Sequence, residues 1–596
     1  MKYYVFTGRP VNAAYSLYDF RSNKRSTFIW GFPERYRSRS GSSKRNKNVK
    51  FYDEMKKEVE NEKKRGEGGY AFLYIAGEAI NRILLGGKIE GFFEDNSKYW
   101  PLPCDEKKKK KDSCPLRVHI KVEYLCVNYN EQRVKECFES KDDNSKECEE
   151  WKHDFLLKIP EISKRAPSIV PLEDDEGEEL LNLLKGRCIR LGINYVNLVD
   201  KFKELINDKN PYSHLKALML IHLVAGKNVI VVGPPGSGKT RIVKELCRDL
   251  VGNETECDLY PGNPEWTSFD TIGSKDINGI FRPGFITSAI AESWRKIREG
   301  KPAFLIIDEL NRANVDLAFA QFFTLLDVEH RRDTPLLRGS ELPERFKDFL
   351  IKDGLFVPYS FRVLATMNSY DRALLFKLGY ALLRRFAIVE MRRDLKFEED
   401  SNNINKIKEF INENEKKFNP NCDLKESVDK QIIENSLKLS REGQGDFAVI
   451  DRMIHSTLIR KSLDDVLRVG DLDLYDLLLS IVCIINNSLH GFGVEVTEGP
   501  ASDAIKFLVV ALLLDGDWAL KHVVSLIEEA IASYVMPQLG VLVNRVRAEK
   551  MGIEMIEGED KKISDALNAL SKVFGDMGLK RTSELFERLA EGEDVP

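Results

Sequence analysis

The sequence of 596 residues lacks several features that would assign it to a specialised class of protein. It has no apolar run near the ~18 residues that cross a bilayer, and the nearest approach is a broken stretch such as Leu477–Ile485. The N-terminus has no apolar signal-peptide core, so we expect a cytoplasmic protein with no membrane partner. No internal repeat or long low-complexity tract is present. Because 42% of the residues are hydrophobic and 31% are charged, a wholly disordered or collagen-like chain is excluded.

Cysteine is present ten times, but never as a CxxC pair. Five cysteines recur at intervals of ten to twelve positions in one region: Cys104, Cys114, Cys126, Cys137 and Cys148. No histidine completes a usual zinc pattern with them, so a metal site of this type is not expected. Reduced thiols are the expectation for a cytosolic protein, with hyperthermophiles as the exception. The residues leave open one disulfide bridge within 104–148.

The charge is unevenly distributed along the chain, although the formal net charge is only −4. Residues 1–50 contain twelve Lys or Arg and two acids, a local charge of +10, so the remaining 546 residues sum to −14. Positive charge concentrated at one end of an acidic chain favours a polyanion partner. The alternative is a solvated basic loop that binds nothing. The candidate contacts to a DNA backbone are Arg35, Arg37, Arg39, Lys44 and Arg45.

Four segments are predicted: a small mixed domain at 1–160, a linker at 161–185, an α/β domain at 186–395 and a helical part at 396–596. The prediction of the α/β domain depends on three short apolar runs, 228–232, 303–307 and 361–366. Each run is followed by residues typical of loops and then by a helical pattern. Such alternation predicts a parallel sheet covered by helices on both faces.

The strongest motif is GPPGSGKT, which directly follows the first apolar run and precedes a helical pattern. This strand–loop–helix context is the one in which GxxxxGK[ST] forms a phosphate-binding loop. Backbone N–H groups of the loop cradle phosphate, while Lys239 reaches the outer phosphates and Thr240 is a candidate Mg²⁺ ligand. The predicted nucleotide-binding residues are Gly233, Pro234, Pro235, Gly236, Ser237, Gly238, Lys239 and Thr240.

Catalytic candidates follow the next two strands. Asp308, at the end of FLIID, is placed to hold Mg²⁺, and Glu309 beside it to polarise the attacking water. Asn368 ends the third strand, where ligands bind in open α/β sheets. Arg384 and Arg385 form either an arginine finger that acts on a neighbouring subunit or a surface ion-pair cluster, and the sequence does not decide which of the two would be the finger.

Together these motifs resemble the AAA+ superfamily, and within it the McrB/MoxR group. DELNRAN resembles that group's second acidic motif, and MNSYDR resembles the MNxxDR signature of McrB-type proteins. The resemblance implies an AAA+ P-loop sheet with a helical lid, a homo-hexameric ring, GTP (ATP remaining possible) with Mg²⁺, and an McrC-like endonuclease partner. It also implies that Asn368 and Asp371 belong to a nucleotide-sensing loop. One departure is that Gly499-Pro500 is followed by Ala-Ser, without the sensor arginine of many AAA+ lids.

The first segment resembles the PUA-like EVE/YTH group of modified-base readers, in the order YYVF, FIWGF, YAFLYIAGEAINRILLGGKIEGFF and RVHIKVEYL. The resemblance implies a small β-barrel-like domain that binds methylated double-stranded DNA, with N6-methyladenine favoured. Trp30 and Trp100 would form an aromatic cage, with Phe32 or Tyr99 as a third wall. The alternative for Trp30 is core packing on an apolar strand. The competing function for the whole chain is a MoxR-like ATPase chaperone or remodeller that acts on protein.

Overall fold

The computed structural model divides into two compact units, Met1–Asn194 and Tyr195–Gln444 with Asp451–Pro596. It describes the chain apart from residues 23–24, 26, 33–46, 76–80, 96–98, 103–113, 128–130, 153–154, 156, 160–168, 191–197, 209, 211, 253–256, 299–300, 320, 333, 344–345, 347–353, 369–379, 393–394, 396, 398, 400–403, 419–423, 434–462, 470–471, 552–561 and 594–596.

The first unit is built around one mixed sheet with helices against it. Its strands are β1 (Lys2–Gly8), β2 (Phe28–Phe32), β3 (Gly69–Ile75), β4 (Asn81–Glu94), β5 (Leu116–Leu125), β6 (Leu157–Ile159), β7 (Ile169–Leu172) and β8 (Ile189–Arg190). Its helices are α1 (Pro10–Ser22), α2 (Lys47–Lys64), α3 (Glu131–Ser140), α4 (Lys146–Lys152) and α5 (Asp174–Arg187). Six strands follow the order β2-β5-β4-β3-β1-β7, while β6 pairs with β4 and β8 with β5. The predicted mixed N-terminal fold class is confirmed.

An aromatic core forms between this sheet and α5. Tyr3, Tyr70 and Phe72 are buried together, with Leu184 of α5 packed on them. Strands β1 and β3 that carry these rings pair in parallel, whereas β3 and β4 are antiparallel. The run IVPLEDDEGEE, placed in the predicted linker, therefore contributes a strand and a helix that are packed on this core.

The second unit contains a five-stranded parallel sheet and many helices. Its strands are β9 (Asn228–Gly233), β10 (Leu259–Pro261), β11 (Gly273–Lys275), β12 (Phe281–Pro283), β13 (Phe304–Asp308), β14 (Leu337–Arg338), β15 (Gly354–Leu355), β16 (Arg362–Asn368), β17 (Phe386–Glu390), β18 (Arg468–Val469) and β19 (Leu472–Asp473). Its first helices are α6 (Leu198–Asn207), α7 (Ser213–Val224), α8 (Lys239–Val251), α9 (Ser268–Thr271), α10 (Phe285–Arg298), α11 (Val315–Phe319), α12 (Phe322–Leu325) and α13 (Tyr380–Leu383).

Helices dominate the C-terminal part. They are α14 (Ile404–Phe418), α15 (Leu424–Ser427), α16 (Leu463–Leu467), α17 (Leu474–Leu489), α18 (Glu498–Leu514), α19 (Gly516–Lys521), α20 (Val523–Ala530), α21 (Met536–Leu539), α22 (Val541–Lys550), α23 (Ile563–Met577) and α24 (Lys580–Ala590), with a π-helix at Ile531–Val535. Short 3-10 helices occur at Leu310–Arg312, Val328–Arg332, Gly339–Glu341 and His490–Phe492. Among the described residues one unbent helix, Leu474–Phe492, is long and apolar enough to cross a bilayer, and 72% of its most apolar window is buried inside the structure.

The parallel sheet has the order β10-β13-β16-β9-β17, and all four strand pairs are parallel. The apolar runs predicted as buried strands form β9, β13 and β16, so the predicted α/β class with a parallel sheet is confirmed. The register places Asn368 opposite Gly233 and Ile307 opposite Ala365. The P-loop, the acidic pair and the polar end of β16 therefore meet at one edge of the sheet.

The expectation of reduced thiols is wrong for the described part of the chain. Every cysteine there is disulfide-bonded, and the pairs whose two members are both described are Cys126–Cys188, Cys137–Cys148 and Cys247–Cys257. The second of these is a bridge within 104–148, which the sequence left open. The third joins α8, which follows the P-loop, to the segment that leads into β10. Pairing depends on which cysteines the fold brings together, and spacing alone does not show this.

Candidate functional site

The P-loop connects β9 to α8 through a tight turn. Gly236 and Gly238 have φ of +72° and +95°, left-handed conformations that glycine adopts without steric cost. Gly233 lies against Met391, which a Cβ at position 233 would overlap. Among the described side chains, the hydroxyl of Ser237 is one of the few that are buried with no hydrogen-bond partner in the protein. A cradle with a spare buried donor is suited to phosphate oxygens.

Lys239 begins α8 and is almost completely buried. It donates to the carbonyl oxygens of Gly233 at 2.9 Å and Pro234 at 2.8 Å, and to Oδ1 of Asn368 at 2.9 Å. The positive charge of Lys239 is therefore held at the P-loop by two backbone carbonyl oxygens and one side-chain amide oxygen. Phosphate oxygens would exchange these contacts for stronger, charge-assisted ones.

A second cluster joins β13, β16 and α8 through Asp308. Its Oδ1 accepts from the hydroxyl of Thr240 at 2.7 Å and from the hydroxyl of Thr366 at 2.5 Å. Hydroxyl and carboxylate oxygens are the ligands that Mg²⁺ prefers, so Thr240 and Asp308 fit the predicted metal role. Thr366 holds the carboxylate in place, because it also accepts from the backbone N–H of Glu309 at 2.9 Å.

Glu309 has an unusual backbone, with φ of +54°. A non-glycine residue in this region carries a conformational cost that its surroundings must offset. Here Oε1 accepts from Nδ2 of Asn368 at 3.0 Å, and Oε2 forms an ion pair with Nε of Arg312 at 2.8 Å. Both carboxylate oxygens are therefore occupied. Gly262 packs directly on the Glu309 carbonyl, where a side chain would overlap it.

The structure brings together most of the residues that the sequence singled out. Asn368 links Lys239 to Glu309, and Asp308 links to Thr240, so these five predicted residues form one connected site. Thr366 and Arg312 were missed. Thr366 lies two positions before Asn368 on the same face of β16, and Arg312 lies three after Glu309, so alternation and helical spacing were the available signals. Asp371 lies outside the described residues.

Arg384 and Arg385 have different environments. Arg384 is exposed at the end of α13. Arg385 is buried, with Nε 3.0 Å from the carboxylate of Asp327 and its guanidinium over the ring of Phe323 at 4.5 Å. The ion pair with Asp327 holds Arg385 in the protein's own core. Of the two arginines, Arg384 is therefore the one that a neighbouring molecule can contact.

The predicted cage residues lie in the first unit, where Trp30 and Trp100 are in contact and Phe32 packs elsewhere. The rings of Trp30 and Trp100 are 5.9 Å apart at 67°, and both side chains are buried. The indole N–H of Trp100 donates to the hydroxyl of Ser16 at 2.6 Å, whereas among the described groups Nε1 of Trp30 is buried without a partner. Phe32 is fully buried on the ring of Phe6, 4.9 Å away.

Tyr99 is the least buried member of the predicted cage, and its ring lies 4.6 Å from that of Trp100. Burial and the hydrogen bond to Asp19 raise the pKa of the Tyr99 phenol, so it stays neutral. Three of the four predicted side chains, Trp30, Trp100 and Tyr99, are thus neighbours in a closed cluster, and their role as a cage stays a prediction. The five predicted DNA-backbone residues, Arg35, Arg37, Arg39, Lys44 and Arg45, lie outside the described residues.

Comparison with known proteins agrees with the geometry of the sheet edge. A family model described as "AAA domain (dynein-related subfamily)" matches residues 228–386. The "Type IV methyl-directed restriction enzyme EcoKMcrB subunit" of Escherichia coli strain K12 is 29% identical over 181 residues, which are 29% of this chain and 37% of that protein. Human "ATPase family gene 2 protein homolog A" is 25% identical over 157 residues, 24% of this chain and 16% of that protein. The chain thus spans well under half the length of these curated relatives.

Among solved structures, the S. cerevisiae Hsp104–ADP complex covers 48% of each chain at 13% identity, with a TM-score of 0.19. A TM-score this low carries no assignment. The family model instead covers the P-loop, Asp308, Glu309 and Asn368, which the structure joins in one site. The chain therefore contains an AAA domain, the nucleotide-hydrolysing domain of AAA+ proteins.

Proposed function

We propose that the chain is the GTP-hydrolysing motor and DNA-recognition subunit of a modification-dependent restriction complex, driving a partner endonuclease of the McrC type. The observation that carries the motor is the connected set Lys239–Asn368–Glu309, which couples the phosphate cradle to the catalytic carboxylate. The DELNRAN and MNSYDR motifs and the partial match to a methyl-directed restriction subunit support the restriction context.

In the proposed reaction, Lys239 and the P-loop N–H groups hold the outer phosphates, and Thr240 and Asp308 hold Mg²⁺. The metal supplies charge neutralisation on the phosphate oxygens. Glu309 orients and polarises the water, once one of its oxygens is released from Asn368 or Arg312. Asn368 also accepts from Lys239. A phosphate that takes the place of Asn368 on Lys239 would therefore free the same amide that donates to Glu309.

Arg384 is the proposed finger and requires an oligomer, for which a hexamer is the family form. Phe386 is paired with Asn228 at the start of β9, and the P-loop lies at the other end of that strand. Five residue steps at roughly 3.3 Å put about 17 Å between the two ends, farther than an arginine side chain extends. Arg384 is therefore proposed to serve a neighbouring subunit's phosphate.

The first experiment compares GTP and ATP turnover by the purified full chain, with Glu309→Gln as the catalytic variant. We expect GTP to be preferred and the variant to lose hydrolysis while it retains nucleotide binding. Normal turnover by Glu309→Gln would contradict the assignment of this carboxylate. Preference for ATP, with no response to DNA, would overturn the restriction role.

The second experiment tests the reader. The full chain is titrated with duplexes that carry N6-methyladenine, 5-methylcytosine or no modification. A flipped base stacked on an indole contributes roughly 1–3 kcal/mol, so we expect Trp30→Leu to weaken binding to N6-methyladenine DNA roughly 5- to 150-fold. Trp151→Leu removes another buried indole of the same unit and controls for lost packing. Equal affinity of the wild type for all three duplexes would defeat the cage.

A second candidate function is an ATP-hydrolysing remodeller of proteins, of the MoxR type. The observation that favours it is the closed packing of Trp30 against Trp100, which must separate before a base can enter. Under this alternative the two indoles are core residues. Both Trp30→Leu and Trp151→Leu would then lower stability, and neither would change DNA binding specifically.

A further inference from the structure

The start of β9 holds the backbone of the proposed finger. Lys227, the residue before the strand, donates from Nζ to the carbonyl oxygen of Arg384 at 3.0 Å. The same ammonium group forms an ion pair with Asp503 of α18. The Lys227 and Asp503 side chains are only 13% and 9% exposed, so solvent screens this pair weakly.

Asn228, the next residue along the chain, binds the backbone carbonyl oxygen of Arg385. Its amide donates to the carbonyl oxygen of Arg385 at 3.1 Å and of Leu326 at 3.2 Å, and its Oδ1 accepts from the N–H of Val363 at 2.9 Å. Asn228 is completely buried. Lys227, just before the P-loop strand, and Asn228, its first residue, therefore fix the two consecutive carbonyls of the arginine pair.

Helix α18 reaches Arg384 at a second point. A Cβ built on Gly499 would lie 3.8 Å from Cδ of Arg384, so the arginine side chain passes over the first turn of this helix. Gly499 and Asp503 are four residues apart and hence on one face of α18. One face of the helix thus contacts the Arg384 side chain directly and its backbone through Lys227.

We propose that Lys227 and Asp503 are positioning residues for Arg384, which connect α18 and the P-loop strand to the active site of the neighbouring subunit. This inference rests on the proposed trans role of Arg384. Lys227 lies just before β9, at the end of that strand opposite the P-loop, and its contact with the Arg384 carbonyl sets where the Arg384 backbone lies. Displacing a catalytic group by about 1 Å lowers the rate on the order of 10²-fold. Loss of the Lys227 contact with the Arg384 carbonyl should therefore lower turnover without changing nucleotide affinity.

Turnover of the full chain tests the inference, with the oligomeric state checked by light scattering. We expect Lys227→Met to lower kcat for GTP roughly 10- to 100-fold, with KM unchanged. Lys227→Arg, which keeps a donor for both partners, should retain most of the activity. Lys506→Met is the matched control, because Lys506 is bound to Asp503 at 3.7 Å and to Glu329 at 3.5 Å in the same cluster. Asp503→Asn, with nearly the same volume, serves as a second variant if Lys227→Met does not fold.

The decisive measurement adds each substitution to Arg384→Ala. If Lys227 acts only through Arg384, then Lys227→Met lowers kcat no further in that background. A further loss of similar size, or an equal effect of Lys506→Met, would overturn the positioning role. If Arg384→Ala itself turns over normally, the finger assignment fails. If Arg384→Ala is slow while Lys227→Met and Asp503→Asn are normal, only the present inference fails.

Discussion

Trans action of Arg384 predicts that two inactive variants restore each other. Glu309→Gln removes the catalytic carboxylate from its own site but keeps Arg384, and Arg384→Ala does the reverse. Because the start of β9 is about 17 Å from the P-loop of the same subunit, Arg384 cannot compensate within one chain. An interface is complete only where the site belongs to an Arg384→Ala subunit and the finger to a Glu309→Gln subunit. Random co-assembly at equal ratio makes about a quarter of the interfaces complete.

The assay is GTP turnover of the two variants alone and co-expressed, normalised to wild type. We expect each variant alone to be lower by orders of magnitude, since fingers contribute roughly 10³–10⁵ in rate, and the mixture to recover up to about a quarter of wild-type turnover. Glu309→Gln mixed with Lys239→Ala is the matched control. Each of these substitutions inactivates the nucleotide site of its own subunit, so no interface in the mixture has a complete site. A mixture no more active than its parents would refute trans action.

Three further predictions concern the ion pair at Glu309, a buried carboxyl group and a disulfide. Arg312→Met frees one oxygen of Glu309 from its ion pair. Because an ion pair this exposed contributes at most about 1 kcal/mol, we expect GTP turnover to rise by no more than about fivefold. A fall in turnover would contradict a restraining role for Arg312. Burial raises the pKa of Glu528 to about 7 from an ordinary 4.5. Its ionisation therefore destabilises the folded protein increasingly as the pH rises from 4.5 to about 7, and by a constant amount above that. Glu528→Gln should raise the melting temperature at pH 8 and leave it unchanged at pH 4. Replacing both Cys247 and Cys257 by alanine should lower the free energy of unfolding by roughly 3 kcal/mol in urea melts, with KM for GTP unchanged.

The nucleotide site was largely predictable because its chemistry is local in sequence. Gly236, Gly238, Lys239 and Thr240 lie within one turn and the start of one helix, where backbone conformation and side-chain type follow from the residues themselves. Apolar runs marked β9, β13 and β16, since strands covered on both faces are continuously hydrophobic. The contact between Lys239 and Asn368 was not predictable as a distance, because it depends on the register of β9 against β16.

The sequence by itself determined that the chain has a P-loop, an acidic pair after a buried strand, a parallel sheet and a basic first fifty residues. Only the tertiary structure decided which of two adjacent arginines is exposed, because Asp327 and Phe323 that hold Arg385 are far from it in sequence. It likewise paired the cysteines and closed Trp30 against Trp100. The physical reason is the same in each case. Local motifs are specified by neighbouring residues, whereas burial and pairing depend on groups that only the folded chain brings within contact.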